Sequence, residues 1–417
     1  MSPHFDALEI RDPAEREHDL FSRLPRFLSD AVGKAEGLAD WLSGHDLSKI
    51  VDRQALASLP VLRKPELLER QKQNPPFGGF VDPDALEGAR VFMSPGPIWE
   101  IQGAGADPWQ AARAFFAAGV RPGARVHNAF AYHMTPGGFV LDTGARALGC
   151  AVFPAGTGNT DMQVEAAEAF RPDVYAGTPD FLQIMLERAD RDGRDLSSIR
   201  IGLVSGGALF PSMREAYRAR GISVLQCYAT AEFGVIAYET SGQDGAPLPG
   251  MVLNENLIVE IVRPGTDDPV PEGEVGEVVV TSLNPAYPLV RLGTGDLSAI
   301  MPGESPCGRT NMRIRGWMGR ADQRTKVKGM FIDPKQIAEL IRRHGAVERA
   351  RLVVTRDGAS DAMALHVEAH AGAEPDAAAI EATLREVTKV GGQVHLAEPG
   401  SLPRDGKVIA DERDYSD

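Results

Sequence analysis

Cysteine is scarce: the 417-residue chain has three, Cys150, Cys227 and Cys307, far apart and without a C-x-x-C pair. That spacing excludes a disulfide framework and a zinc knuckle. No apolar run approaches the roughly 18 residues that a membrane-spanning helix needs. The stretch from Met1 to Leu20 carries scattered charges and no apolar signal segment. The chain therefore reads as cytoplasmic, with no membrane partner. Positive charge is in deficit as well. Lys and Arg number 44 against 58 Asp and Glu, a net charge of −14, which opposes binding to nucleic acid or to an anionic membrane. Common catalytic signatures are also missing. Neither H-E-x-x-H nor G-x-x-x-x-G-K-[ST] occurs. Ser205 lies in Gly202-Leu-Val-Ser-Gly206, where a nucleophile elbow needs glycine at position 203. Gly103-Ala-Gly105 lacks the third glycine of a dinucleotide fingerprint. The nine histidines are dispersed, and His127 and His133 lack metal-ligand spacing.

Glycine and proline are abundant, with 44 and 30 residues, and no collagen-like or low-complexity period accompanies them. Many turns are being built. Apolar residues at 43% and charged residues at 24% give the balance of a soluble globular protein, and the length argues for two or three domains.

The chain changes texture along its length. Residues 1–90 read as helices with polar connections, with Leu20-Phe21, Leu24, Phe27-Leu28 and Val32 at helical spacing. Within 91–250, short apolar strands alternate with ten-residue helices from Pro108 to Cys227, which predicts a mostly parallel sheet with helices packed on it. Ligand-contacting loops would then lie along the carboxyl edge of that sheet. Residues 251–320 read as a small antiparallel β subdomain, with strands at 257–262 and 275–282. Residues 321–417 read as a separate small α+β domain whose first helix starts at Pro334, with Asp333 as its N-cap. The expectation is an α/β protein with a large domain, 1–320, and a small mobile domain, 321–417.

Four segments at predicted element ends carry chemistry. Val204-Ser-Gly-Gly-Ala-Leu-Phe-Pro211 follows a buried strand, and its paired glycines let a planar ligand approach the backbone closely. Gln226-Cys-Tyr-Ala-Thr-Ala-Glu-Phe-Gly234 follows the next strand. Pro288-Leu-Val-Arg-Leu-Gly-Thr-Gly-Asp-Leu297 sets an Asp after a glycine turn, and the segment from Gly319 to Pro334 spans the domain boundary. Taken together, in this order, they resemble the adenylate-forming, acyl-CoA synthetase-like enzymes, most closely the phenylacetate-CoA ligase branch. Tyr228-Ala-Thr-Ala-Glu232 resembles the Y-G-x-[ST]-E motif, with Ala229 for its glycine. Pro288 to Leu297 resembles P-x-x-R-x-x-T-x-D-L, and Gly319 to Pro334 the G-R-x-D-[DQ] hinge with its K-x-x-G loop. Ala131-Tyr132, Leu148-Gly-Cys150 and Thr178-Pro179 are similar to the substrate half of that branch. Leu59-Pro-Val-Leu-Arg-Lys64 and Gly400-Ser-Leu-Pro-Arg-Asp-Gly-Lys407 fit its two ends.

The resemblance implies a two-step reaction, in which a small carboxylic acid is activated by ATP as an acyl-adenylate and then transferred to coenzyme A. It implies that Gly206, Gly207, Ala208, Tyr228 and Ala229 receive adenine, with the tyrosine ring packing on it. Asp296 would accept both ribose hydroxyls. Glu232 would offer a hard oxygen to Mg²⁺, with Thr230 beside it for phosphate. Lys407 would bring positive charge to the α-phosphorus. Arg320 would contact ribose or phosphate, Asp322 would be the hinge, and Tyr132 and Phe139 would wall the acyl pocket. Each residue also has a plain reading: Asp296 as a turn former, Glu232 as a helix-terminal acid, Lys407 as a solvated lysine, and Tyr132 and Phe139 as core. The oligomeric state, monomer or homodimer, stays open.

One segment departs from the family. Its phosphate loop is S-S-G-T-T-G, whereas this chain has Val91-Phe-Met-Ser-Pro-Gly-Pro-Ile-Trp-Glu-Ile101. Ser94 and Gly96 survive, but Pro95 and Pro97 remove N–H donors and fix φ. Three readings remain: a ligase with CoA as acceptor, a ligase passing the acyl group to an amine or carrier protein, and a weakened homologue that binds nucleotide or acyl-CoA.

Overall fold

The strand Val174–Gly177 is buried along its whole length, as a strand covered by helices on both faces must be. It belongs to a sheet seen in a computed structural model that describes residues 3–242, 245–263, 266–321, 325–357, 360–403 and 408–413. The chain divides into two compact units, one ending at Trp317 and the other beginning at Met318.

In the first unit, nine strands among the described residues form one sheet. Five of them are parallel, in the order Ala151–Pro154, Arg125–Asn128, Val174–Gly177, Ile201–Val204 and Ser223–Thr230. Gly234–Tyr238 then turns back antiparallel, followed by Met251–Leu253, Arg313–Ile314 and Ile300–Met301. Alternate residues on the parallel strands serve opposite faces. Tyr175, Val204 and Val224 pack with Val164, Leu182, Met185 and Tyr217 of the helices Thr160–Phe170, Pro179–Asp192 and Pro211–Ala219. Val174, Ala176, Leu203 and Leu225 pack with Phe115, Val140 and Leu141 of Ala111–Ala117 and Gly137–Ala147. The alternation expected from sequence is thus realised as a doubly covered sheet.

A second sheet carries Leu257–Val262, Gly276–Ser282 and Leu292–Ser298 antiparallel to one another, with the two-residue strand Leu62–Arg63 parallel to Leu292 and Gly293. The helix Pro13–Val32, capped by Asp12, buries Leu20, Phe21, Leu24 and Leu28 in the same core as Ile258, Val259 and Ile261. Arg291 ties this sheet to the segment before Lys64. It is fully buried, pairs with both oxygens of Glu260 at 3.0 and 3.1 Å, and donates to the carbonyls of Ala57 and Leu59.

The second unit is α+β, as expected. Its sheet runs Gln393–Ala397, Ser360–Ala369, Val347–Asp357, Ile409–Asp411. Ile337 and Leu340 of the helix Pro334–Arg343 and Ile380 and Leu384 of Ala377–Thr388 pack on Leu352, Val354, Leu365 and Val367. At the first of these helices the Gln336 side chain accepts the Asp333 N–H at 2.8 Å, closing its N-terminus. Among the described residues no helix is long and apolar enough to cross a membrane.

Residues 91–101, read from sequence as a loop, form instead a β-hairpin. Val91–Ser94 pairs with Ile98–Ile101, leaving Pro95, Gly96 and Pro97 as its turn.

Candidate active site

Parallel pairing of Val204 with Gln226 brings the loops after two neighbouring strands to one edge of the sheet. These loops carry residues 205–208 and 231–233. Their positions are fixed by side chains: Ser205 Oγ donates to the Cys227 carbonyl at 2.8 Å, and Gln226 Nε2 donates to the Gly207 carbonyl at 3.0 Å. Gly206 has φ +69°, and a Cβ there would stand 3.3 Å from the Phe130 ring. Glycine meets both constraints. Ala208 continues this loop.

Tyr228 and Ala229 lie near the end of Ser223–Thr230. The Tyr228 hydroxyl donates to Asp296 Oδ2 at 2.8 Å, and the Trp317 indole Nε1–H donates to Asp296 Oδ1 at 2.9 Å. Asp296 follows Gly295, whose φ is +74°. Glu277 Oε1 accepts the Gly295 N–H at 3.2 Å. The Asp on this second sheet and the Tyr on the first are therefore brought together.

Glu232 is buried, and its Oε1 accepts from Lys64 Nζ at 2.7 Å. Burial pushes its pKa up, but the charge and hydrogen bond of Lys64 outweigh this and hold it below the usual glutamate value. Across from it stands Glu100, 1% exposed. Its Oε1 accepts from Ser94 Oγ at 2.5 Å. Burial, then the charge of Glu232, push the Glu100 carboxyl well above the ordinary range. Glu100 Oε2 is buried without a hydrogen-bond partner, and the buried Thr230 hydroxyl lies against the Glu232 carboxylate and helps hold its pKa down. The hairpin bearing Glu100 is clamped by the helix Lys64–Gln73. Gln71 accepts the Trp99 N–H and donates to its carbonyl, both at 2.9 Å, and the Tyr287 hydroxyl reaches the same carbonyl at 3.2 Å.

Tyr132 and Phe139 meet edge to face with centroids 5.1 Å apart, and Phe92 packs on Phe139 at 5.4 Å. The Tyr132 hydroxyl donates to Asp142 at 3.0 Å and accepts from Asn128 at 2.7 Å. Burial and the Asp142 charge raise its pKa. A bond from the Met93 N–H to the Met134 carbonyl at 2.9 Å joins this aromatic cluster to the hairpin.

Of the residues singled out from sequence, the first unit thus holds Ser94, Gly206, Gly207, Ala208, Tyr228, Ala229, Thr230, Glu232 and Asp296, and it packs Tyr132 against Phe139. Gly96 sits in the hairpin turn. Arg320 belongs to the second unit. Asp322 and Lys407 lie outside the described residues. Sequence reasoning misses Lys64, Glu100 and Trp317. Lys64 closes a quoted family-like stretch, but no local signal marks Glu100 or Trp317.

A family model described as AMP-binding enzyme matches residues 129–286. The chain is 32% identical over 381 residues to the phenylacetate-coenzyme A ligase of Thermus thermophilus, covering 88% of this chain and 83% of that one. It is 30% identical over 383 residues to the phenylacetate-coenzyme A ligase of Aromatoleum evansii, covering 86% and 84%. Among solved structures, 2-hydroxyisobutyryl-CoA ligase in complex with 2-HIB-AMP and CoA aligns with a TM-score of 0.80 at 25% identity, over 99% of this chain and 93% of the other.

Proposed function

Because the chain belongs to the phenylacetate-coenzyme A ligase family of AMP-binding enzymes, we propose that it is an ATP-dependent, AMP-forming ligase acting on an aromatic or similarly compact carboxylic acid. The acid oxygen attacks the α-phosphorus of ATP and pyrophosphate leaves. The thiol of coenzyme A then adds to the acyl carbon and AMP leaves.

The observation that carries this reading is the meeting of Tyr228 with Asp296 beside the Gly206–Gly207 backbone. Tyr228, Ala229 and residues 206–208 receive adenine. Asp296 accepts the ribose hydroxyls, since the two oxygens of a carboxylate can take both. Tyr132 and Phe139 wall the acyl group, while Ser94 and Gly96 lie at the phosphate end. Arg320 contacts ribose or phosphate and Asp322 serves as the hinge. Lys407 stabilises the charge that builds at the α-phosphorus. Glu232 and the Thr230 hydroxyl against it, both buried, are hard oxygen donors of the kind that Mg²⁺ takes. When bound, the ion would neutralise phosphate charge. The same reading puts the enzyme in the cytoplasm.

One observation favours a second reading, a binder of nucleotide or acyl-CoA with little adenylating power. In the turn of residues 95–97, only Gly96 keeps an N–H to offer a phosphate. Carboxylate-dependent exchange of labelled pyrophosphate into ATP, run across aryl and short acyl acids, separates the two. Exchange with at least one acid, followed by thioester formation on adding coenzyme A, is the expected result. Silence across the panel from folded protein that still binds AMP would overturn the ligase reading in favour of the binder.

A further inference from the structure

The buried cluster beside Thr230 sets two carboxylates, Glu100 and Glu232, close enough that each feels the other's charge. Glu100 and Glu232 are 1% and 7% exposed, and one cation, Lys64, contacts Glu232. A triphosphate brought beside two carboxylates calls for a cation between them if both are to ionise. The backbone beside Glu100 is held in place, because Trp99 is bonded through both its backbone groups to Gln71. The Glu100 Oε1 is fixed by Ser94, while its Oε2 is buried and unpartnered. A buried oxygen left unpaired is costly, and Glu100 Oε2 lies on the hairpin where a family member would offer phosphate-loop N–H groups, within electrostatic reach of Glu232.

We propose that Glu100 is a second carboxylate ligand, with Glu232 and beside the Thr230 hydroxyl, for the divalent cation that accompanies the nucleotide. The inference rests on the ATP-binding reading of this site. Mg²⁺ is commonly held by one or two carboxylates plus substrate phosphates, and this donor set supplies the protein half of that shell. Held there by Glu100 and Glu232, the cation would supply the terminal phosphates with positive charge in place of the N–H donors that Pro95 and Pro97 lack.

The test is Mn²⁺ binding to the full-length protein, followed by the electron paramagnetic resonance signal of the free ion, with and without a non-hydrolysable ATP analogue. Glu100→Gln keeps the shape and an oxygen that can accept from Ser94. It should weaken Mn²⁺ binding in the presence of the analogue by at least the roughly tenfold that loss of even a supporting hydrogen bond behind a metal ligand costs. Glu232→Gln should do the same. Wild-type protein loaded with Fe²⁺ and exposed to peroxide should be cut near residues 94–100 and 230–232, a readout that needs no variant to fold. Unchanged Mn²⁺ affinity in a folded Glu100→Gln protein, or cuts elsewhere, would overturn the proposal. If Mn²⁺ binding depends on Glu100 but no acid supports exchange, the cation site stands and the ligase reading falls. If exchange proceeds while Mn²⁺ ignores Glu100, the reverse holds.

Discussion

The Tyr228 hydroxyl and Asp296 Oδ2, 2.8 Å apart, join the last parallel strand of the large sheet to the strand Leu292–Ser298 of the second sheet. The two residues stand 68 positions apart in the chain, so their contact exists only if both sheets are formed and registered. Trp317 holds the other oxygen of the same carboxylate. The aspartate is thus oriented from two sides before any ribose arrives.

Tyr228→Phe deletes one of these bonds and leaves the ring. A hydrogen bond to a charged acceptor is worth about 1.5–3 kcal/mol, so urea titration should show a loss of that order. KM for ATP should rise several-fold while KM for the acid stays near the wild-type value. An unchanged ATP KM would separate Asp296 from nucleotide binding.

Lys64→Met leaves the buried Glu232 carboxylate without its cation. Breaking a buried pair by removing one partner costs about 3–5 kcal/mol, and the melting curve should shift accordingly. Adding Glu232→Gln should recover much of that loss. If the double variant is no more stable than the single, the two side chains are not coupled.

Gly138→Ala would put a Cβ 2.7 Å from the Tyr132 ring. Overpacking of this kind costs about 1–3 kcal/mol, and the ring must move. The KM for the carboxylic acid should rise more than that for ATP. Equal effects on both would argue that Tyr132 does not face the acid.

Asp6 supplies a pH dependence with a definite sign. Burial raises its pKa, but the Arg113 guanidinium, bonded at 2.9 and 2.6 Å, and backbone N–H groups bring it below the usual aspartate value. A carboxylate depressed in the folded state adds stability above its unfolded pKa, about 3.9, and loses it as pH falls through the lower folded value. The melting-temperature gap between wild type and Asp6→Asn should therefore be full near neutrality and shrink below about pH 4. A gap that stays constant down to pH 3 would remove Asp6 from the acid response.

Much of the architecture is legible in the sequence because local patterns and tertiary packing agree. The spacing predicts the strand Leu257–Val262 with the bounds it has. The hairpin at 91–101 is hidden, because Pro95, Gly96 and Pro97 dominate a window whose strands are four residues each. Its strands are stabilised from outside, by Gln71 and Tyr287. Tyr228, Glu232 and Asp296 can be found because they sit in spaced motifs at strand ends. Glu100 and Trp317 matter only through what the fold sets against them, which no local spacing records. Arg291, quoted within a motif, turns out to be a buried anchor for the chain leading to Lys64.

The helix Lys64–Gln73 has Lys64 against Glu232 at one end and Gln71 against Trp99 near the other. Seven residues is two turns, so the two side chains share one face about 10 Å apart along the axis. The helix is in effect a spacer with a fixed phase. One residue inserted between them would rotate Gln71 by about 100° and release the hairpin while the lysine stayed docked. Natural variants of this chain should vary in composition along that helix far more freely than in length.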